Sequence, residues 1–178
     1  MNKETLRKYF SENLARKLAA FVLLISFSAN IFAEAIPDPV RIGNARATRT
    51  ASGIEQLDIA TPNAKGLSYN SLLELQVSEQ GLILNNNPHV VVDTQIAGLV
   101  ARNRNLDKSG SANLIVTEIT GKNRTNINGY VEVAGDRADI VMANRNGITV
   151  NGGGFLNTDR VTLTSGSAVF FQIIIWDY

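Results

Sequence analysis

The stretch from Ala138 to Gly166, ADIVMANRNGITVNGGGFLNTDRVTLTSG, determines the fold class expected for this 178-residue chain. Its apolar runs are short, and several alternate apolar and polar residues with the period of two that is typical of β-strands. They predict strands at Asp139–Met142, Gly147–Val150 and Arg160–Thr164. The runs are separated by Asn and Gly, which tolerate positive φ and suit tight corners. The stretch therefore predicts thin β layers joined by Asn and Gly corners.

The same pattern continues upstream, and no segment after Ala35 has a sustained helical period. Further strands are predicted at Gln56–Ile59, Leu72–Val77, Gly81–Leu84, Val90–Val92, Gly98–Ala101, Asn113–Ile119 and Tyr130–Val133. Many short strands at this spacing fit a sandwich, a barrel or a β-solenoid.

Three observations favour the solenoid. Between Ile36 and Val169 the aromatic residues are only Tyr69, Tyr130 and Phe155, too few for a bulky globular core. Asn is unusually common after Ala35, and stacked Asn amides can form ladders between coils. Asn128-Gly129 recurs as Asn146-Gly147, at a spacing close to the length of one solenoid coil. We expect an all-β parallel solenoid.

Residues 1–35 have the pattern of a helical signal peptide rather than of a domain. A basic segment is followed by the apolar run Leu18–Phe32, and Ala33-Glu34-Ala35 supplies a small-x-small cleavage site. The uninterrupted apolar part, Leu18–Ile25, is far shorter than the roughly 20 residues that span a bilayer. The pattern predicts export through the Sec machinery and a mature domain that is not embedded in a membrane.

The remaining composition excludes several classes of function. After Ala35 the basic and acidic residues nearly balance, so the charge gives no reason to expect nucleic acid as a partner. There is no cysteine, which excludes thiolate chemistry and zinc sites built on Cys. The single histidine, His89, has no second His with which to bind a metal, and we expect it at the surface. We predict no cofactor.

No constellation of residues predicts catalysis. Asp136 and Asp139 are three positions apart, which places them on opposite faces of a strand. Glu118 and Glu132 are expected to point outward from their strands. Because parallel β-helices can carry carbohydrate-active sites, the fold alone does not exclude an enzyme. The residues nevertheless predict a protein that is not an enzyme.

Several blocks in sequence order resemble the secretion domain of two-partner-secretion exoproteins. They are Leu57–Asn70 (LDIATPNAKGLSYN), Gly81–Asn86 (GLILNN), Leu114–Ile140 and Ala138–Gly166. The family includes filamentous haemagglutinins, secreted haemolysins and contact-dependent growth-inhibition exoproteins. The resemblance implies a right-handed parallel β-helix with an N-terminal cap and often extra-helical strands. It also implies recognition by an outer-membrane transporter with periplasmic binding domains, secretion or surface display by a Gram-negative cell, and nucleation of the β-helix that follows.

Two motifs of that family are matched with one change each. Asn103-Arg104-Asn105-Leu106 stands where the family usually has NPNL, and Asn144-Arg145-Asn146-Gly147 where it usually has NPNG. Both therefore carry Arg in place of a Pro that would fix φ, and we expect looser turns. Each Asn amide is both donor and acceptor and can close a corner. Corner closure is the favoured role, and direct contact with the transporter is the alternative.

Four glycines in and after the second motif are expected to be structural. Gly147, Gly152, Gly153 and Gly154 are expected to be required by the backbone, through positive φ or the close approach of a neighbouring coil. Val150 and Gly153 stand where the haemolysin branch carries two cysteines, which favours the haemagglutinin and growth-inhibition branches. The predicted divisions are a signal peptide at 1–35, an extended lead-in at 36–53, the β-helix domain at 54–166 and an atypical tail at 167–178.

The tail departs from the family pattern, since Ala168–Trp176 is nearly all apolar. We expect a truncated or frameshifted end, and the alternative is an authentic closing strand. Three functions stay open on the sequence: the transporter-recognition domain of an adhesin or growth-inhibition exoprotein, a small secreted adhesive module, and a carbohydrate-active β-helix enzyme. The first is favoured.

Overall fold

The structure, a computed structural model, describes residues 34–41 and 43–167. In these residues it has fourteen strands and one 3-10 turn, at Arg104–Leu106. The predicted signal peptide up to Ala33, and the apolar tail from Ala168, lie outside the described residues. The strands are β1 Glu34–Pro37, β2 Arg46–Arg49, β3 Glu55–Asp58, β4 Leu67–Gln76, β5 Leu82–Asn86, β6 Val91–Thr94, β7 Gly98–Ala101, β8 Leu114–Ile119, β9 Thr125–Ile127, β10 Tyr130–Gly135, β11 Asp139–Asn144, β12 Ile148–Val150, β13 Gly154–Leu156 and β14 Val161–Thr164.

Parallel strands form three faces around one core. Face A consists of β4, β8, β11 and β14, face B of β3, β5, β10 and β13, and face C of β9 and β12, extended by a bridge from Val77 to Ile127. The chain visits face B, then face A, then face C before it begins the next coil. This arrangement is a β-helix, as the all-β solenoid prediction required.

The strand register measures the length of a coil. Val131 pairs with Phe155, and Ile140 pairs with Val161, each one coil further along the chain. Both spacings along the chain are longer than the spacing between Asn128-Gly129 and Asn146-Gly147. The repeated Asn-Gly dipeptide therefore does not mark equivalent corners of successive coils. Gly129 lies beneath Gly153 instead, because a Cβ added to Gly153 would come within 2.5 Å of the Gly129 carbonyl oxygen.

The core is built from the inward positions of each coil. On face B, Leu57, Leu84 and Val133 are in register and wholly or almost wholly buried. On face A, Ile115 and Ile140 stack in the same way. Because each such side chain stabilises the fold by about 1.5–3 kcal/mol only when its neighbours cover it, one coil cannot stand alone.

Two antiparallel strands cover the first coil. β1 pairs with β4 at the edge of face A, and β2 pairs with β3 at the edge of face B. No strand was predicted in either segment: β1 starts in the predicted signal peptide and ends in the lead-in, and β2 lies wholly in the lead-in. They protect edges that would otherwise be open to other chains, and thus form an N-terminal cap.

A hairpin of β6 and β7 is inserted between β5 and β8 and lies outside the coils. It packs on outward residues of face B through a second apolar cluster, which contains Ile83, Ala97, Val100 and Ala134. Because of the insertion, the paired residues Leu82 and Val131 are about twice as far apart in sequence as paired residues in coils without it. Among the residues described, no helix is long and apolar enough to cross a bilayer.

Candidate functional site: two asparagine corners

The first motif, Asn103–Leu106, closes the corner between faces B and A in the second coil. Asn103 is 1% exposed, and its side-chain oxygen accepts a hydrogen bond from the Asn105 amide at 3.0 Å. Its side-chain nitrogen donates to the carbonyl oxygens of Ile59 and Asn85, both at 2.9 Å. This one side chain therefore caps its own turn and joins the first coil to the second.

The second Asn of this motif reaches the cap. The Asn105 side-chain nitrogen donates to the carbonyl oxygens of Asn44, at 2.8 Å, and Ile59, at 2.9 Å. Its side-chain oxygen accepts from the side-chain nitrogen of Asn44 at 3.1 Å. Leu106, the last residue of the motif, is buried in the main core. The motif thus ties the cap, the first coil and the second coil together.

The second motif, Asn144–Gly147, repeats this geometry between faces A and C of the third coil. Asn144 is wholly buried, and its side-chain oxygen accepts from the Asn146 amide at 2.8 Å. Its side-chain nitrogen donates to the Asn123 carbonyl oxygen and the Thr125 hydroxyl of the coil below, both at 2.9 Å. The first Asn of both motifs therefore has one structural role.

The end of the second motif differs from that of the first. Asn146 is exposed and donates to the Gly121 carbonyl oxygen at 3.0 Å. Gly147 has φ +96° and donates its amide to the Asn144 carbonyl oxygen at 2.9 Å, which closes the turn. A Cβ on Gly147 would lie 3.2 Å from the Arg124 guanidinium, so the positive φ rather than crowding favours glycine.

The two arginines that replace the family's Pro point away from the protein. Arg104 and Arg145 are exposed, and neither has a hydrogen bond or ion pair from its side chain within residues 34–41 and 43–167. Lys122 and Arg124 occupy the corner directly beneath Arg145, where Asn144 and Asn146 bond. In each motif the buried Asn holds the corner, and the Arg presents a free cation to solvent.

The neighbouring glycines serve two different needs. Gly152 has φ +79° with almost open space where a side chain would stand. Gly153 has little room, because a Cβ there would lie 2.5 Å from the Gly129 carbonyl oxygen and 2.9 Å from Ile127. At Gly154 the nearest atoms belong to the ring of Tyr130, at 2.8 Å. Ala35, in the predicted cleavage site, lies in β1 and is buried.

Sequence reasoning missed a row of buried amides. Asn85 and Asn86 end β5, beyond the strand predicted at Gly81–Leu84, and Asn87 follows them; all three are wholly buried. The Asn86 side chain accepts from the Ala112 amide at 2.7 Å and donates to the carbonyl oxygens of Ala112 and Asp136. Most corner amides bond backbone carbonyls in this way rather than one another. Three adjacent Asn before a Pro are the signal that could have indicated this cluster.

The role of Glu132 was also not predicted from the sequence. It points outward from β10, as predicted, but is only 3% exposed because the hairpin covers it. Its two carboxylate oxygens accept from the amides of Gln95 and Ile96, at 2.8 and 2.9 Å. Hydrogen bonds to a charged acceptor are the stronger kind, so Glu132 anchors the hairpin to face B.

Glu118 also points outward, on face A, and is buried. It accepts a hydrogen bond from the Tyr69 hydroxyl and lies 3.6 Å from the guanidinium of Arg41. Burial raises the pKa of the Tyr69 hydroxyl, and the adjacent Glu118 carboxylate raises it further. The pair fastens strand β4 to β8 across the outer surface.

The residues considered for catalysis do not come together. His89 is exposed, and the Asp136 carboxylate accepts from the Ser111 hydroxyl at 2.6 Å. Within the part of the chain that the structure describes, no three His, Asp or Glu side chains are placed to hold a metal ion. The arrangement that stands out is the pair of Asn corners.

Comparison with known proteins identifies the fold family. Residues 33–172 match the family model described as the TPS secretion domain. The chain belongs to this family. The resemblance carried by the blocks between Leu57 and Gly166 is confirmed, and it is the secretion domain of two-partner-secretion exoproteins that matches.

Named relatives point to the growth-inhibition branch. The chain is 46% identical over 127 residues to the 16S rRNA endonuclease CdiA of Enterobacter cloacae, covering 71% of this chain and 4% of the relative. It is 46% identical over 121 residues to a tRNA nuclease CdiA of Escherichia coli, covering 68% and 4%, and 39% identical over 157 residues to the tRNA nuclease CdiA-2 of Burkholderia pseudomallei, covering 88% and 5%. The chain thus spans only about one twentieth or less of these relatives.

A solved structure agrees with the β-helix. The crystal structure of the filamentous hemagglutinin secretion domain matches with a TM-score of 0.68 and 31% identity, over 76% of this chain and 44% of that one. The two-partner-secretion domain described here is therefore similar to both filamentous haemagglutinin and CdiA, the two branches that Val150 and Gly153 favoured.

Proposed function

We propose that this domain is the segment of a longer exoprotein that a partner outer-membrane transporter recognises, and that it starts the folding of the β-helix behind it. The observation that carries the proposal is the shared construction of the two Asn corners. Each uses a buried amide to lock neighbouring segments and leaves an Arg exposed beside it.

The motif residues divide into two roles in this proposal. Asn103 and Asn144 are inaccessible in the folded domain and act as corner locks. Arg104 and Arg145 are accessible and act as contacts for the periplasmic binding domains of the transporter, together with the exposed Asn146. A cation without an intramolecular partner is free to pair with an acidic group across an interface, where it chiefly raises the rate and specificity of association.

The nucleation role rests on the difference between the two ends of the stack. At the N-terminal end, β1 and β2 cover the first strands of faces A and B. At the other end, β13 and β14 pair on one side only within the described residues, so each offers an unpaired edge. New coils can therefore be added in one direction, and the crossovers between parallel strands are expected to be right-handed.

The route that fits this role begins with the signal peptide at 1–35 and Sec export to the periplasm. The transporter then passes the chain outward, so that the parent protein is secreted or displayed on a Gram-negative cell. The nuclease activities named for the CdiA relatives belong, in this proposal, to regions that the matched domain does not include.

Export in the presence and absence of the transporter tests the proposal. The chain is expressed with a candidate outer-membrane transporter of the two-partner-secretion type, and the amount outside the cell is measured against the amount in the periplasm. We expect export only with the transporter. Equal export without the transporter would refute the proposal.

A matched pair of variants separates recognition from folding. Replacing both Arg104 and Arg145 with Glu should reduce export at least several-fold while the purified domain unfolds at the same denaturant concentration, because both side chains are exposed and unpaired. The double substitution with Lys keeps the charge and should export normally. Normal export of the Glu variant would remove the two arginines from the interface.

The alternative, a small adhesive module, draws support from the hairpin. Its outward face exposes Val91 and Leu99, and Val90 precedes it. Exposed apolar residues on one face are typical of interaction surfaces. Binding of the purified domain to cells, lost on replacing Val91 and Leu99 with Ser, would favour this function.

A further inference from the structure

Strand β1 contains the last two residues of the segment that the sequence pattern assigns to the signal peptide. Glu34 pairs with Gln76 and Ala35 with Leu75, in regular antiparallel register with β4. The sequence pattern placed the end of the signal peptide after Ala35. In the folded domain, by contrast, Ala35 belongs to the cap.

Ala35 is part of the core in this position. It is 3% exposed and packs in the main hydrophobic cluster, and its amide donates to a carboxylate oxygen of Glu55 at 3.4 Å. Glu55 is itself 8% exposed, and burial raises the pKa of its carboxyl group. A buried carboxylate is costly unless hydrogen bonds or an ion pair compensate its charge. Besides the Ala35 amide, the guanidinium of Arg49 lies 3.2 Å from a Glu55 carboxylate oxygen.

Cleavage after Ala35 would remove the regular half of β1. The remaining strand residues are Ile36 and Pro37, and the register shifts between them. Pro37 has no amide hydrogen to donate to a ladder. The edge of β4 at Leu75 and Gln76 would then lose its cover, and Glu55 would lose one donor.

We infer that signal peptidase cuts between Ala33 and Glu34, so that the mature domain begins at Glu34 and keeps the whole of β1. Ala33 supplies the small residue needed immediately before the cut. The position two residues earlier is also usually small, and there Ile31 fits less well than Ala33 does for the cut after Ala35. The intact cap decides between the two positions, because only the cut after Ala33 preserves it. The inference concerns export to the periplasm and does not depend on the transporter.

The intact mass of the processed protein tests this inference. The full chain is expressed in a Gram-negative host without the transporter, and the periplasmic product is measured by mass spectrometry. A mature chain that starts at Glu34 is expected. A product that starts at Ile36, lighter by one Glu and one Ala residue, would overturn the inference.

Two matched substitutions locate the cut without relying on folding, because processing is scored as precursor and product in whole cells. Ala33→Leu should accumulate precursor or move the cut to follow Ala35, whereas Ala35→Leu should leave processing after Ala33 unchanged. A block by Ala35→Leu, with or without a block by Ala33→Leu, contradicts the inference, as does unchanged cleavage in both variants.

Discussion

The two Asn corners are built by the same device and set in different surroundings. In both, a buried Asn accepts from the amide two residues ahead and donates to the coil below. The first corner additionally bonds the cap through Asn105 and places Leu106 in the core. The second ends in an exposed Asn146 and a glycine of positive φ.

The difference indicates that the same short motif closes the same kind of turn at both corners. How much each turn contributes to the stability of the domain depends on the residues around it. The first corner joins three segments that are far apart in sequence, because Asn103 and Asn105 contact residues 18 to 61 positions away. The second joins only adjacent coils near the open end. We therefore expect the first corner to control whether the domain folds, and the second to control how firmly the third coil docks.

The largest expected effect is the loss of the first buried amide. Asn103→Ala removes the donor to Asn85 and Ile59 and the acceptor for the Asn105 amide, which should lower the free energy of unfolding by about 3 kcal/mol. Asn144→Ala should cost less, about 2 kcal/mol, because its partners lie near the open end. Urea denaturation of the purified domain measures both.

A replacement by Asp separates the donor from the acceptor at each corner. Asn103→Asp keeps an oxygen for the Asn105 amide but buries a charge and cannot donate to carbonyl oxygens, so it should destabilise at least as much as Ala. Equal losses for Asn103→Ala and Asn144→Ala would show that the two corners contribute equally to the stability of the domain, contrary to the geometry.

A glycine near each corner gives the next effect. Gly135 lies on the corner that the buried amides of β5 support, with φ +88°, and an added Cβ would be 2.7 Å from the Cα of Asn87. Gly135→Ala combines backbone strain with a clash against the main chain, and it should lower the free energy of unfolding by about 3 kcal/mol. Gly147→Ala meets only the far end of the Arg124 side chain and should cost about 1 kcal/mol.

The same denaturation measurement compares these two variants. If Gly147→Ala were the more damaging, the second corner would be the more tightly packed, contrary to the geometry. The double variant with Arg124→Ala is the control, because removing the guanidinium should not rescue a loss that comes from positive φ.

The sequence predicted the parts of the fold that carry their own signal. β8 and β11 are runs of Val, Ile and Leu with corners at Asn and Gly, and both are present within two residues of the expected bounds. β9 (TNI) and β13 (GFL) were missed because neither alternates apolar and polar residues, as the equally short β12 (ITV) does. Their existence depends on neighbours in other coils, which one sequence does not reveal.

The candidate site divides in the same way. A motif located Asn103 and Asn144, and the local turn chemistry of Asn explained why they close corners. Nothing local could show that Glu132 is covered by a hairpin 36 residues away, or that Asn105 meets Asn44 across 61 residues. Burial of these groups comes from the stacking of coils, which adds contacts between residues that are distant in sequence.

The hairpin offers a variant that should affect one part of the domain and leave the second corner unchanged. Glu132→Gln keeps one acceptor oxygen but loses the charge, so it should weaken the bonds from Gln95 and Ile96 and cost about 1 kcal/mol. Amide hydrogen exchange should rise at Gln95 and Ile96 and stay unchanged at Asn146, since the hairpin lies beside the first corner only. Faster exchange at Asn146 as well would show that the hairpin and the second corner are coupled.

The smallest expected effect comes from restoring the Pro of the family motif. Asn103 has φ −85° and ψ 113°, the extended geometry that a following Pro requires, and residue 104 begins the 3-10 turn, where Pro is well tolerated. Arg104→Pro should therefore stabilise the domain by about 0.5 kcal/mol through a less flexible unfolded chain. Arg104→Ala is the control and should leave stability unchanged, because the side chain is exposed and unpaired. If Arg104→Pro destabilises the domain instead, the first corner depends on an amide that Pro removes, and the Arg is then a structural adaptation rather than a tolerated change.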